Sequence, residues 1–119
     1  MDMTDVERHL WQVDFESAKG EAGDVVDVAS NRPGGGFRFQ PHQLLKPSML
    51  EILSVTVNGK EQDRSSYGLT KRLGEENALD VVDFSRMDAV EPGERVVLRV
   101  KFLKTDTFYV TMFGELRGP

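Results

Sequence analysis

The sequence contains no cysteine. That excludes disulfides, thiolate metal sites and cysteine nucleophiles. Histidine is nearly as scarce: only His9 and His42 occur, far apart in the chain. A zinc site normally draws three or four nitrogen or sulfur ligands, so two surface histidines are expected, and no metal or other cofactor. No apolar run approaches the roughly 18 residues needed to cross a bilayer, and no membrane contact is expected. The first residues, Met1 to Glu7, are acidic and lack the apolar core of a signal peptide, which predicts synthesis in a cytoplasm. Positive charge is not clustered. The 15 Lys and Arg are outnumbered by 20 Asp and Glu, for a net charge of -5. Binding to phosphate backbones needs clustered cations, so no direct nucleic-acid partner is expected.

Catalytic signatures are missing too. There is no G-x-S-x-G elbow and no P-loop. Gly34-Gly35-Gly36 is not followed by Lys-Ser/Thr, so it reads as a loop between strands rather than a phosphate cradle. Asp24 with Asp27, and Asp80 with Asp83, are three residues apart, which on a strand points them to opposite faces. No EF-hand spacing occurs. Asp88, Glu91 and Glu94 read as a solvated acidic rim. No residue is nominated as catalytic, cofactor-binding or metal-ligating, and a non-enzymatic role is expected.

What the sequence has is alternation. Its 119 residues make about one domain, and 39% apolar with 29% charged residues is a globular balance. Trp11, Val13 and Phe15 share one side of a strand from His9 to Phe15, with Gln12 and Asp14 opposite. Further strands are predicted at Asp24 to Ala29, at Phe37 to Gln40 with Pro41 as the stop, and at Met49 to Val57. Asn58-Gly59 then supplies a tight turn. A short strand near Tyr67 to Thr70, one at Ala78 to Phe84, and a turn at Glu91-Pro92-Gly93-Glu94 follow. Val96 to Leu103 and Phe108 to Phe113 read as a closing hairpin around Lys104 to Thr107. Thr4 to Leu10 carries a capping-box pattern, and Ser85 to Val90 a single helical turn, but no sustained helical stripe exists.

About eight short strands with turn signals between them predict an all-β chain. The expected architecture is a two-sheet antiparallel β-sandwich of jelly-roll type. Long loops at Asn31 to Gly36 and Lys60 to Ser66 suit its crossovers. The expected organisation is an N-terminal arm at 1–7, one sandwich domain at 8–116 and a tail at 117–119. Most aromatics alternate with polar residues and read as core. Tyr109 and Phe113 differ, because they lie opposite Phe108, Val110 and Met112. If that strand is half-buried, something else covers them, such as a second subunit.

One stretch reads Phe37-Arg38-Phe39-Gln40-Pro41-His42-Gln43-Leu44-Leu45-Lys46-Pro47. The strand Ile52 to Val57 follows, then Asn58-Gly59-Lys60-Glu61-Gln62. Later come Pro92-Gly93-Glu94 and a closing Phe108-Tyr109-Val110-Thr111-Met112-Phe113-Gly114-Glu115. This order, over about residues 36 to 115, resembles small single-jelly-roll structural proteins of phage and virus particles, of capsid or decoration type. Pro41 and the 60–78 region depart from the pattern. The resemblance implies a structural role in a virion, with copies of itself or other virion proteins as partners in an oligomeric assembly, after synthesis in the host cytoplasm. It implies no catalytic residues. Trp11, Tyr109 and Phe113 are the interface candidates. The alternative is a carbohydrate- or ligand-binding β-sandwich using loop aromatics such as Tyr67 and Phe37.

Overall fold

The computed structural model describes residues 11–32, 36–46, 50–64, 68–70, 80–84, 86–108 and 110–117. Among them are eleven strands and no helix. The strands are β1 (Trp11–Asp14), β2 (Ala18–Gly20), β3 (Val25–Ala29), β4 (Arg38–Lys46), β5 (Leu50–Val57) and β6 (Lys60–Glu61). They continue with β7 (Gly68–Thr70), β8 (Asp80–Asp83), β9 (Val96–Phe102), β10 (Asp106–Phe108) and β11 (Thr111–Arg117). One sheet runs β1-β11-β4-β8-β7 and the other β3-β9-β5-β6; β10 and β2 form a short separate pair.

The pairing is nested. β5 pairs with β6, β4 with β8, β3 with β9, β2 with β10 and β1 with β11, all antiparallel. The chain therefore follows the course of one long hairpin whose tip is β5–β6. The further pairs β4–β11 and β5–β9 roll that hairpin into two sheets. This double Greek key is a jelly roll, and the expected all-β sandwich is the architecture observed. The eight strands of the roll are joined by three short ones, β2, β7 and β10.

Alternation builds the core. β9 has the burial pattern of a half-covered strand, with Val96, Leu98, Val100 and Phe102 inside and Arg99 outside. β5 contributes Leu50, Ile52, Val55 and Val57 from the same sheet. Val13, Phe39, Leu44, Val82 and Met112 of the other sheet join them in one buried cluster with Phe84, Met87, Val90 and Val110. Both turns form as the residues dictate. Asn58 and Gly59 adopt φ of 54° and 76°, the paired positive values of a type I′ hairpin. Gly93 has φ 84°, and the Glu94 amide donates to the Glu91 carbonyl at 3.0 Å.

Several expectations are corrected. Pro41 does not stop its strand; β4 continues to Lys46. The β4–β8 ladder begins only at Gln43, and the β4–β11 ladder shifts register beside Gly114, the partner of Pro41. A residue without an N–H is tolerated at such an irregularity. The closing hairpin does not form, because β9 and β11 lie in different sheets, each between two other strands. Of the helical turn expected from Ser85 to Val90, Ser85 lies outside the described residues; the Met87 amide donates to the Phe84 carbonyl at 3.0 Å, and residues 88–90 are irregular, with Val90 bridged to Phe39. The loop expected from Lys60 begins as β6. Arg117, placed in the tail, ends β11. The N-terminal arm, its capping box and His9 lie outside the described residues.

Candidate interaction surface

The outer faces of the two sheets differ in chemistry. On the β3-β9-β5-β6 sheet, the register sets Asp27 against Arg99, and Val25 and Glu51 on either side of Lys101. Arg99 Nε donates to Asp27 Oδ1 at 2.9 Å and Nη2 to Oδ2 at 3.3 Å. These hydrogen bonds hold the Asp27 carboxyl below its ordinary pKa. This face is a solvated lattice of opposite charges. Its apolar members include Val25 and, just beyond β9, Leu103, both about half exposed, and half-buried Val97 in register with Ala29.

The outer face of the β1-β11-β4-β8-β7 sheet is built around Phe113. Met112 and Gly114 are buried, so Phe113 between them points outward, and it is half-buried there. Its cross-strand partners are Gln12 on β1 and Gln43 on β4. One row along, Asp14, Thr111 and Leu45 are aligned. The Asp14 carboxylate accepts from Gln12 Nε2 at 2.8 Å and from the Thr111 hydroxyl at 3.2 Å. At the other end of the face Arg38 and Arg117 are paired in register. Arg117 reaches Glu115 at 3.2 Å and Arg38 reaches Glu91 at 3.4 Å. His42 also lies 3.4 Å from Glu115. Each guanidinium at this end is thus met by a carboxylate of the same chain, while Asp14 lies toward the other end and Asp83 is in register with Gln43 in the Phe113 row.

The interface candidates are not brought onto one surface. Phe113 is on the outer face, as its alternation with Met112 predicts. Trp11 is in register with Gly114 and on the same side of β1 as buried Val13, so it belongs to the inward side at the sheet edge. It is nonetheless 47% exposed. Tyr109 lies outside the described residues, as do Tyr67, Gly34 and Gly35. Phe37 is 40% exposed, while Phe39 is core.

Four of the acidic side chains, Asp24, Asp27, Asp88 and Glu91, are engaged with protein groups. Asp24 accepts from the Glu21 amide, Asp27 is held by Arg99, and Glu91 lies against Arg38. Asp88 accepts from Gln62 at 3.2 Å and Lys60 at 3.3 Å, and both bonds lower its pKa. Among the described residues no cluster of three or more His, Cys, Asp or Glu is arranged to hold a metal ion.

Sequence reasoning missed a polar clamp at residues 87–91. Gln40 Nε2 donates to the Met87 carbonyl at 3.0 Å and Asn58 Nδ2 to the Ala89 carbonyl at 3.1 Å. Gln62 accepts from the Asp88 amide at 3.3 Å, and Phe39 and Val90 exchange both backbone bonds. Three amide side chains from β4 and from the β5–β6 hairpin region thus tie an irregular segment to the sandwich. Their only sequence signal was Asn58 in a turn dipeptide; nothing marked Gln40 or Gln62.

Compared with known proteins, the chain matches no family model, no curated protein and no solved structure.

Proposed function

We propose that the protein is a non-enzymatic structural component of a phage or virus particle, acting as a coat, decoration or accessory protein through protein–protein contacts. The observation that carries this reading is the nested jelly-roll pairing. It joins the resemblance of residues 36 to 115 to virion jelly rolls. The fold alone hosts many functions, so the surface supplies the second support. Half-exposed Trp11 and outward Phe113 are side chains that assembly would cover. Partners are copies of the chain or neighbouring virion proteins, and the site of action is the virion.

The test is size-exclusion chromatography with light scattering over a concentration series, with negative-stain imaging of any large fraction, alone and with candidate shell components. Rings, shells or decorated particles are expected. A chain that neither assembles nor binds a shell, yet binds a defined glycan saturably as a monomer, would replace this reading with a carbohydrate-binding module.

A further inference from the structure

We infer that Asn58 is a site of spontaneous deamidation, gated by the clamp on residues 87–91, and that its conversion irreversibly unlatches that segment. The inference goes beyond the assembly reading and does not depend on it.

Residue chemistry selects the site. Of Asn31, Asn58 and Asn77, only Asn58 precedes glycine. The residue after an asparagine supplies the attacking backbone nitrogen, and a side chain there obstructs the attack; glycine has none. A Cβ on Gly59 would meet no heavy atom within 4 Å beyond its chain neighbours, so this flank of the turn is open to water. Both residues are exposed. Among the described residues Asn58 is also the only non-glycine with positive φ.

The reaction balances with water alone. The Gly59 nitrogen loses its proton and bonds to Asn58 Cγ. The Cγ–Nδ2 bond breaks, ammonia leaves with that proton, and a succinimide ring is closed. Water then opens the ring at either carbonyl. Attack at Cγ gives aspartate. Attack at the backbone carbonyl gives isoaspartate, in which the chain runs through Cγ.

The fold supplies the gate. Asn58 Nδ2 donates to the Ala89 carbonyl at 3.1 Å, and Oδ1 accepts from the Glu91 amide at 3.4 Å. These bonds hold the carboxamide against residues 89–91, so Cγ reaches the Gly59 nitrogen only when that segment lifts. The segment is held by Gln40 on the Met87 carbonyl, by Gln62 on the Asp88 amide and by the Phe39–Val90 bridge. Irregular segments tied by a few bonds open locally while the sheets stay closed.

Neither product restores the latch. A carboxylate has no hydrogen to donate to the Ala89 carbonyl, and it adds negative charge opposite a segment that already carries Asp88 and Glu91. Isoaspartate lengthens the backbone within a two-residue turn whose ends are fixed by the Val57–Lys60 pair. Release of the segment uncovers Met87 and Val90, both buried, and parts Glu91 from Arg38.

The test is incubation of the full chain at mildly alkaline pH, with peptide mapping by mass spectrometry to count aspartate and isoaspartate at position 58. Conversion in the folded chain is expected, slower than in urea. Gln62→Leu, or Gln40→Leu as a second clamp variant, should speed it several-fold, the scale of one lost hydrogen bond. Gly20→Ala, which strains the core at Phe102 instead, should leave the rate unchanged, with circular dichroism showing that each variant folds. Asn58→Asp should speed amide exchange several-fold at residues 88–91 and leave β9 unaffected. A folded chain that never converts, or converts as fast as in urea, overturns the inference. So do clamp variants without effect on the rate, an equal acceleration by Gly20→Ala, and an Asn58→Asp variant with unchanged exchange.

Discussion

Gly114 is the position where a single methyl group should do most damage. It sits in β11 between Trp11 and Pro41, where the ladder to β4 shifts register. Its φ lies outside the left-handed region, so alanine meets no backbone penalty there. The obstacle is steric. A Cβ would overlap the Gln40 carbonyl oxygen and lie 2.8 Å from Phe39 Cζ and 2.9 Å from the Gln40 carbonyl carbon. Phe39 is 1% exposed and cannot swing away. The Gln40 carbonyl belongs to the backbone of a central strand. Overpacking a core typically costs about 1–3 kcal/mol, and contact with backbone on one side and an immobile ring on the other places Gly114→Ala at the upper end, about 3 kcal/mol. For a domain of this size about 4 °C per kcal/mol is the scale, so melting should fall by roughly 12 °C. Urea unfolding followed by circular dichroism measures the free energy directly. A loss below about 0.5 kcal/mol, the range of ordinary surface substitutions, would refute the reasoning and require β4 and β11 to separate at this point.

Four further outcomes are expected. Gly20→Ala places a Cβ 2.8 Å from two ring carbons of fully buried Phe102; a loss of about 1–3 kcal/mol by urea unfolding follows, and near-neutrality would show that β2 can lift off the core. Gly59→Ala must hold φ near 76°, so it should cost about 1–2 kcal/mol, whereas Gly59→Asn, better suited to that conformation, should recover part of it. Gln62→Leu removes the acceptor of the Asp88 amide and the donor to its carboxylate; a loss of about 1–2 kcal/mol, with faster amide exchange at Asp88 to Glu91, distinguishes loss of the clamp from general destabilisation. Hydrogen bonds from Arg99 to Asp27, and from Gln62 and Lys60 to Asp88, hold both carboxyls below the ordinary aspartate pKa in the folded state. Their stabilising contribution is therefore present above that value and is lost as pH falls through the depressed folded values. Arg99→Met, which removes the hydrogen bonds to Asp27, should make stability less dependent on pH below about 4; an unchanged acid limb in unfolding titrations would count against the Asp27–Arg99 bond.

Local structure was readable where a residue type answers a local demand. Asn58-Gly59 and Pro92-Gly93 announce turns because few residues accept positive φ, and both turns form. Val96 to Phe102 alternates because one face of that strand is buried. Pairing was not readable in the same way. Alternation reports that a strand has an inside and says nothing about its neighbours. β9 and β11, strongly alternating and separated only by the short β10, therefore looked like a hairpin, although each is a central strand of a different sheet. The residues that mark the separation are weak signals by composition. Gly20 lets β2 lie against Phe102, and Gly114 lets β11 lie against Gln40 and Phe39.

The same distinction explains how far the surface was legible. Phe113 was placed outward by its position against Met112, a property of one strand, and it is outward. Trp11 was grouped with Val13 and Phe15, also correctly, yet that shared side is the inward one, and its exposure follows from its place at the sheet edge. Edge position depends on which strand pairs last, and in a nested roll β1 pairs with β11 from the far end of the chain. The arginine pair on the Phe113 face is hidden for the same reason. Arg38 and Arg117 are 79 positions apart in sequence and meet only because β4 and β11 are in register. What a single strand imposes on itself could be read from its residues, whereas what two distant strands make together, including the face offered to a partner, required the pairing.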